Sequence, residues 1–178
     1  MLSINPQTPT LLLERTVFIG VQGCYHHVME LHIIAHDIRS AQNIGSLLRT
    51  CDSLGVGKLW ITGYSPTPEH PRVAKTALGA ETNVAYEQRT DVEALIAELR
   101  SEGFRVVGLE LDERATELAA YHAGDKIVLL LGNEVEGIPP SLRSLCDDLI
   151  FIPQKGKKES MNVAVAAGIA CYWLLNVS

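Results

Sequence analysis

Short apolar runs alternate with helical patterns along most of this chain. Leu31–His36 (LHIIAH), Lys58–Thr62 (KLWIT) and, more weakly, Val84–Glu87 read as strands. Phe104–Leu109, Lys126–Leu131 and Leu149–Ile152 are almost continuously apolar, the pattern of strands covered on both faces. Between them, Asn43–Leu54 places Ile44, Leu47, Leu48, Cys51 and Leu54 on one side of a helix. Thr90–Ser101 is amphipathic, with Thr90 and Glu93 at capping-box spacing and Val92, Leu95, Ile96 and Leu99 as its stripe. A Pro-punctuated loop (GYSPTPEHPR) follows the second strand, and Ser160–Leu175 closes the chain as a helix rich in small residues. Strands alternating with helices predict an α/β fold, a mostly parallel sheet with helices on both faces. Its chemistry belongs in the loops beyond the carboxyl ends of the strands. Residues 31–178 read as one domain, with residues 1–30 as an N-terminal arm or additional edge element.

Composition narrows the class. The chain has 178 residues, 47% hydrophobic and 20% charged, which suits one domain with a sizeable core and excludes a disordered tail or fibrous repeat. Fifteen basic against twenty-one acidic residues give a net charge of −6, which speaks against coating nucleic acid by bulk charge. The distribution is uneven, however. Seven acidic residues fall between Asp91 and Glu113, whereas Lys155, Lys157 and Lys158 crowd one loop, so a local basic site is compatible with the total. Cys24, Cys51, Cys146 and Cys171 are widely spaced and form no C-x-x-C pair, which predicts reduced thiols. The N-terminus lacks a basic start before its short apolar run, and Met161–Leu175 is too short to span a bilayer. A cytoplasmic location is expected, with no membrane partner.

Several familiar motifs fail on inspection. Gly132–Gly137 has P-loop glycine spacing, but Ile138 and Pro139 stand where Lys and Ser/Thr must reach the phosphates. No G-x-G-x-x-G follows a strand, and no G-x-S-x-G is present. His32 and His36 have zincin spacing, yet Ile33 replaces the required Glu and the β-branched pair Ile33–Ile34 favours a strand. His26, His27, His32 and His36 therefore read as ordinary histidines, and no metal is expected.

Three segments carry the chemistry. In Asn43-Ile-Gly-Ser-Leu-Leu-Arg-Thr-Cys51, Asn43 can cap a helix, Gly45 permits close approach to its first turn, and Arg49 interrupts an apolar pattern. By itself Arg49 reads as a snorkelling surface side chain. In Val128–Pro139 a buried strand ends abruptly in Gly132-Asn133-Glu134, followed by Gly137 and a helix opened by Pro139 or Pro140. In Ile152–Ala167 a Lys-rich loop separates a strand end from Ser160-Met161-Asn162 and an Ala-rich helix. Tight turns and a charged connector would account for much of this, but not for the Ser160–Asn162 pair.

Taken together, the three segments resemble the motif set of the SpoU/TrmH family of RNA ribose 2′-O-methyltransferases, in the SPOUT superfamily. They match N-x-G-x-x-x-R-T, G-N-E-x-x-G-[IL] and I-P-x…S-[LM]-N-V-x-x-A in order, from about Leu31 to the C-terminus. Met161 stands where Leu is usual and Cys51 where Ala is common, and neither change alters a chemical group.

The resemblance implies a C-terminal trefoil knot, an exception to the rule that chains do not thread loops. It implies S-adenosylmethionine as cofactor and a homodimer whose active sites each use both subunits. The implied cofactor cradle is Leu109, Glu110, Leu131, Gly132, Asn133, Gly137, Ile152, Ser160 and Met161, with Glu134 beside it. The implied catalytic set is Arg49, Asn43, Glu134, Ser160 and Asn162. A guanidinium holds its proton too tightly to be a ready base, so Arg49 is expected to bind phosphate and stabilise alkoxide charge. RNA contacts are expected from Arg49, Lys75, Lys155, Lys157 and Lys158, with transfer RNA favoured over ribosomal RNA. About 30 residues are too few for a separate RNA-binding domain, so substrate choice is expected in the arm, the Lys-rich loop and the dimer surface. The competing reading is a non-catalytic homologue that binds RNA or cofactor; retention of Arg49, Asn43 and Glu134 argues against it.

Overall fold

A computed structural model describes residues 29–157 and 160–177; the expected arm, with Cys24, His26 and His27, lies outside the described residues, as does Lys158. The strands are β1 (Glu30–His36), β2 (Lys58–Thr62), β3 (Tyr86–Arg89), β4 (Arg105–Leu109), β5 (Thr116–Glu117), β6 (Lys126–Leu131) and β7 (Asp148–Phe151). The helices are α1 (Ala41–Leu54), α2 (Pro71–Ala77), α3 (Val92–Ser101), α4 (Pro140–Arg143) and α5 (Val163–Asn176). All strand pairs are parallel, in the order β3-β2-β1-β6-β4-β7-β5.

Alternation along the buried strands assigns the two faces. Ile33, Ala35, Leu59, Ile61, Ile127, Leu129 and Leu131 pack with α1, α2 and α5, while Ile34, Trp60, Val128 and Leu130 pack with α3 and α4. Ile127–Leu131 are each no more than 1% exposed, as their unbroken apolar run predicts for a central parallel strand.

The order of connection reverses between β1 and β6. From β1 the chain runs outward to β2 and β3; it then crosses over, and β6 later inserts between β1 and β4. Such a switch point leaves a crevice beyond the strand ends where ligands bind. Ala35 of β1 pairs with Leu131 of β6, so the loops leaving the two strands start level with one another.

Helix starts depart from the sequence expectation in three places, each through a better cap. Ser40, in extended conformation, caps α1 and accepts the Asn43 amide at 3.3 Å, so Asn43 lies inside the helix. Asp91, not Thr90, caps α3 because β3 holds the chain extended up to Arg89. Asn162, not Ser160, caps α5 and accepts the Ala164 and Val165 amides. The end of the Pro-punctuated loop also conceals α2, which Pro71 opens and His70 caps. The edge strand β5, two residues long, carries no hydrophobic pattern that would reveal it.

Candidate active site

The crevice between β1 and β6 collects side chains from all three motif segments. At the end of β1, Asp37 adopts φ 54°, a left-handed turn that Asp tolerates better than most residues. Its carbonyl accepts the Asn133 side-chain amide at 2.9 Å, and its Oδ1 accepts the Tyr64 backbone amide at 3.1 Å. Across the crevice, the β6 loop folds back on itself. Asn133 and Gly137 exchange two backbone hydrogen bonds of 3.0 and 2.9 Å, and Asn133 Oδ1 accepts the amides of Val135 and Glu136. The closure requires glycine at both ends. A Cβ on Gly132 would collide with the Gly137 backbone, and Gly137 has φ 69° with the Glu110 carboxylate where its Cβ would be.

The folded loop presents Glu134 to the start of α1. Its Oε1 accepts Asn43 Nδ2 at 2.8 Å and the Ser40 amide at 3.1 Å; its Oε2 accepts the Arg39 amide at 3.0 Å. Partial burial pushes this carboxyl up, but the donated hydrogen bonds from Arg39, Asn43 and Ser40 outweigh it and hold it below its ordinary value. An ionised Glu134 accepts only, so Asn43 must present its NH2 to it and turn Oδ1 away. That Oδ1 accepts Asn162 Nδ2 at 3.0 Å, which leaves Asn162 Oδ1 to cap α5. One charge thereby orients two amides in sequence and ties β6, α1 and α5 together.

On the other side of the loop, Glu110 braces it. Glu110 Oε2 accepts the Ile138 amide at 2.7 Å and Oε1 the Leu111 amide at 3.1 Å. The strand order places β6, β4 and β7 side by side, so Leu131–Gly137, Leu109–Glu110 and Ile152 share one sheet edge. Leu109 and Ile152 are half-buried there, while Leu111 and Val135 are exposed; Met161, just ahead of the α5 cap, is half-buried as well.

The structure therefore links Glu134 to Asn43 and Asn43 to Asn162, and sets Leu109, Glu110, Leu131, Gly132, Asn133, Gly137 and Ile152 at neighbouring strand ends, with Ser160 and Met161 in the segment before α5. It leaves the cations outside that contact. Arg49 is exposed, about 120° round α1 from Asn43, beside Gln42 and Ser46. Among the described residues nothing pairs with Arg49, Lys75, Lys155 or Lys157, and Ser160 is exposed two residues before the α5 cap. Sequence reasoning missed Ser40, whose position three residues ahead of Asn43 is a capping signal, and Tyr64, which nothing local marks. His32 stacks on Phe104 at 4.4 Å between centroids, and among the described residues no His, Cys, Asp and Glu cluster could hold a metal ion.

Comparison with known proteins places this geometry. A family model described as the SpoU rRNA Methylase family matches residues 30–172. The 23S rRNA (guanosine-2′-O-)-methyltransferase RlmB of Acinetobacter baylyi is 30% identical over 136 residues, covering 76% of this chain and 55% of the relative. The tRNA (guanosine(18)-2′-O)-methyltransferase of Aquifex aeolicus is 27% identical over 145 residues, covering 80% and 67%. The crystal structure of an AdoMet-bound rRNA methyltransferase from Sinorhizobium meliloti superposes with a TM-score of 0.76 at 26% identity, covering 82% of this chain and 55% of that one. The chain thus spans little more than half the length of its RlmB relatives.

Proposed function

Because the chain belongs to the SpoU rRNA methylase family, we propose that it is an S-adenosylmethionine-dependent enzyme that methylates a ribose 2′-hydroxyl of RNA. The observation that carries this reading is the Glu134–Asn43–Asn162 relay, which joins all three motifs at the switch point of the sheet. A non-catalytic homologue has no use for a half-buried charge that orients two amides in sequence.

The strand ends suit the cofactor. Leu109, Ile152 and Met161 offer apolar surface for an adenine ring, and Leu131 and Gly132 supply backbone groups for its polar edge, while Gly137 and Ile138 shape the loop, their amides being engaged by Asn133 and Glu110. When bound, S-adenosylmethionine supplies an electrophilic sulfonium methyl. Glu110 and Asn133 act through the loop, since their side chains are engaged by backbone and Tyr64. Glu134, with both oxygens accepting hydrogen bonds, holds Asn43 rather than taking the hydroxyl proton. Arg49 binds the phosphate of the target nucleotide and stabilises developing charge on its 2′-oxygen. Ser160 and the lysines Lys75, Lys155, Lys157 and Lys158 complete the RNA side.

A homodimer fits the same reading. Val165, Ile169 and Tyr172 are exposed at i, i+4 and i+7 on α5, a stripe spaced to bury against a second copy. Arg49, remote from Asn43 within one chain, would then serve the partner's site. The C-terminal knot belongs to the same proposal, supported by the crossing of β4 between β6 and β7 and the return of α5 to α1. So does a cytoplasmic location, supported by free Cys51, Cys146 and Cys171; among the described residues no helix is long and apolar enough to cross a membrane.

The test has two stages. Calorimetry should detect S-adenosylmethionine binding, and tritiated methyl should transfer to bulk RNA, transfer RNA being assayed ahead of ribosomal RNA. Arg49→Ala should abolish transfer while cofactor affinity stays within about twofold. Full turnover by Arg49→Ala sinks the assignment. Ile169→Glu should convert dimer to monomer in light scattering and remove activity with it.

A further inference from the structure

Between the start of α1 and the loop after β2 lies a cavity of about 400 Å³. Arg39, Ser40, Gln42, Tyr64, His70 and Arg72 are among the residues that line it, and among the described residues no carboxylate does. It shares a wall with the active site. The Arg39 and Ser40 amides that hold Glu134 belong to the same turn, and the Tyr64 hydroxyl accepts Asn133 Nδ2 at 2.7 Å.

The lining groups are unusually free. Among the described residues the Arg72 guanidinium has no ion-pair partner. Among those residues the Arg39 side chain reaches only the Tyr64 hydroxyl at 3.4 Å and Glu136 at 4.0 Å. His70 Nδ1 accepts the Arg72 backbone amide at 3.2 Å, so the neutral ring carries its proton on Nε2, a donor. Tyr64 is 56% exposed although its hydroxyl is anchored, which leaves an ordered aromatic face uncovered. Two guanidinium groups, a ring N–H and a free aromatic face match a nucleotide's phosphate and base. The volume falls within the roughly 300–1,000 Å³ typical of small-ligand sites.

We propose that this cavity holds an RNA nucleotide adjacent to the methylated one, with Arg39 and Arg72 on its phosphate and Tyr64 stacked on its base. The proposal rests on the RNA-methyltransferase reading above and adds a subsite to it. None of Lys75, Lys155 and Lys157 lines the cavity. Lys75 lies three residues after Arg72 on α2, so it continues the cationic face toward neighbouring phosphates.

The full chain should be assayed with bulk transfer RNA for Kd across salt concentrations, for KM and kcat, and by calorimetry for S-adenosylmethionine. Arg72→Gln should raise the RNA Kd and KM about tenfold and reduce the salt slope by about one, with kcat moving far less. Tyr64→Ala should weaken RNA by about tenfold, and Tyr64→Phe, which keeps the ring and loses the hydroxyl, should recover most of that loss. Melting curves confirm that each variant is folded. Wild-type KM and salt slope in both Arg72→Gln and Tyr64→Ala, in protein that still methylates RNA, would overturn the subsite alone. A wild-type chain that methylates no RNA overturns the enzymatic reading, and the subsite falls with it.

Discussion

Glu134→Gln isolates the charge at the head of the relay without changing its shape. The carboxylate accepts three hydrogen bonds, from Asn43 Nδ2 and the Ser40 and Arg39 amides. A carboxamide has one oxygen, so its NH2 must confront at least one of those donors. In the cheapest arrangement the oxygen keeps Asn43 and Ser40, and the exposed Arg39 amide turns to water. Two bonds then fall from the charged class, roughly 1.5–3 kcal/mol each, to the neutral class, roughly 0.5–1.5, and a third is lost. That sums to about 3.5–6 kcal/mol, and halving it for the half-exposed position leaves about 2–3. For a domain of this size the melting temperature should fall by about 4–12 °C. Turnover should fall about 100-fold, because Asn43 is no longer compelled to keep its present orientation.

The pH dependence supplies an internal control. Glu134 titrates below its ordinary value of 4.5 in the folded state, so its contribution is complete above that value and is lost as pH falls through the folded pKa. The gap between wild type and Glu134→Gln in scanning calorimetry or urea titration should therefore close below about pH 4.5. A variant that melts within about 1 °C of wild type at neutral pH and retains full turnover would refute the relay.

Three further outcomes follow from the packing. Gly137→Ala places a methyl against the Glu110 carboxylate in a left-handed position, so it should cost about 1–2 kcal/mol or more and weaken S-adenosylmethionine in calorimetry. Gly45→Ala sets a Cβ 2.6 Å from Thr76 Cβ and 2.8 Å from the Val73 carbonyl; prying α2 from α1 should cost about 1–3 kcal/mol in denaturant titration. Burial raises the Cys51 and Cys171 thiols, Cys171 to about 12, so neither should react with a thiol reagent until the protein unfolds.

Much of the fold was legible because periodicity records burial directly. The uninterrupted apolar run of β6 marks a central strand, and the stripe Val92, Leu95, Ile96 and Leu99 marks the buried face of α3. Motif residues Asn43, Glu134 and Asn162 could be named as a set, but not their contacts. Asn43 reads equally well as a cap from sequence, since Asn favours that position. Only Ser40, one turn earlier, frees its amide for Glu134, which lies 91 residues away. Tyr64 was invisible for the same reason: its partner Asn133 is 69 residues distant.

What the sequence determined by itself is local: strand and helix identity, the glycines a closed loop needs, and the residue types of the three motifs. What only the tertiary structure decided is direction and company. Strand order puts β6 between β1 and β4, and that insertion brings Glu134 against α1 on one side and Gly137 against Glu110 on the other. It also gathers Arg39, Tyr64, His70 and Arg72 around one cavity, although none of them belongs to a motif. Hydrogen bonds depend on separations of a few ångströms, and only the folded chain brings residues tens of positions apart within that reach.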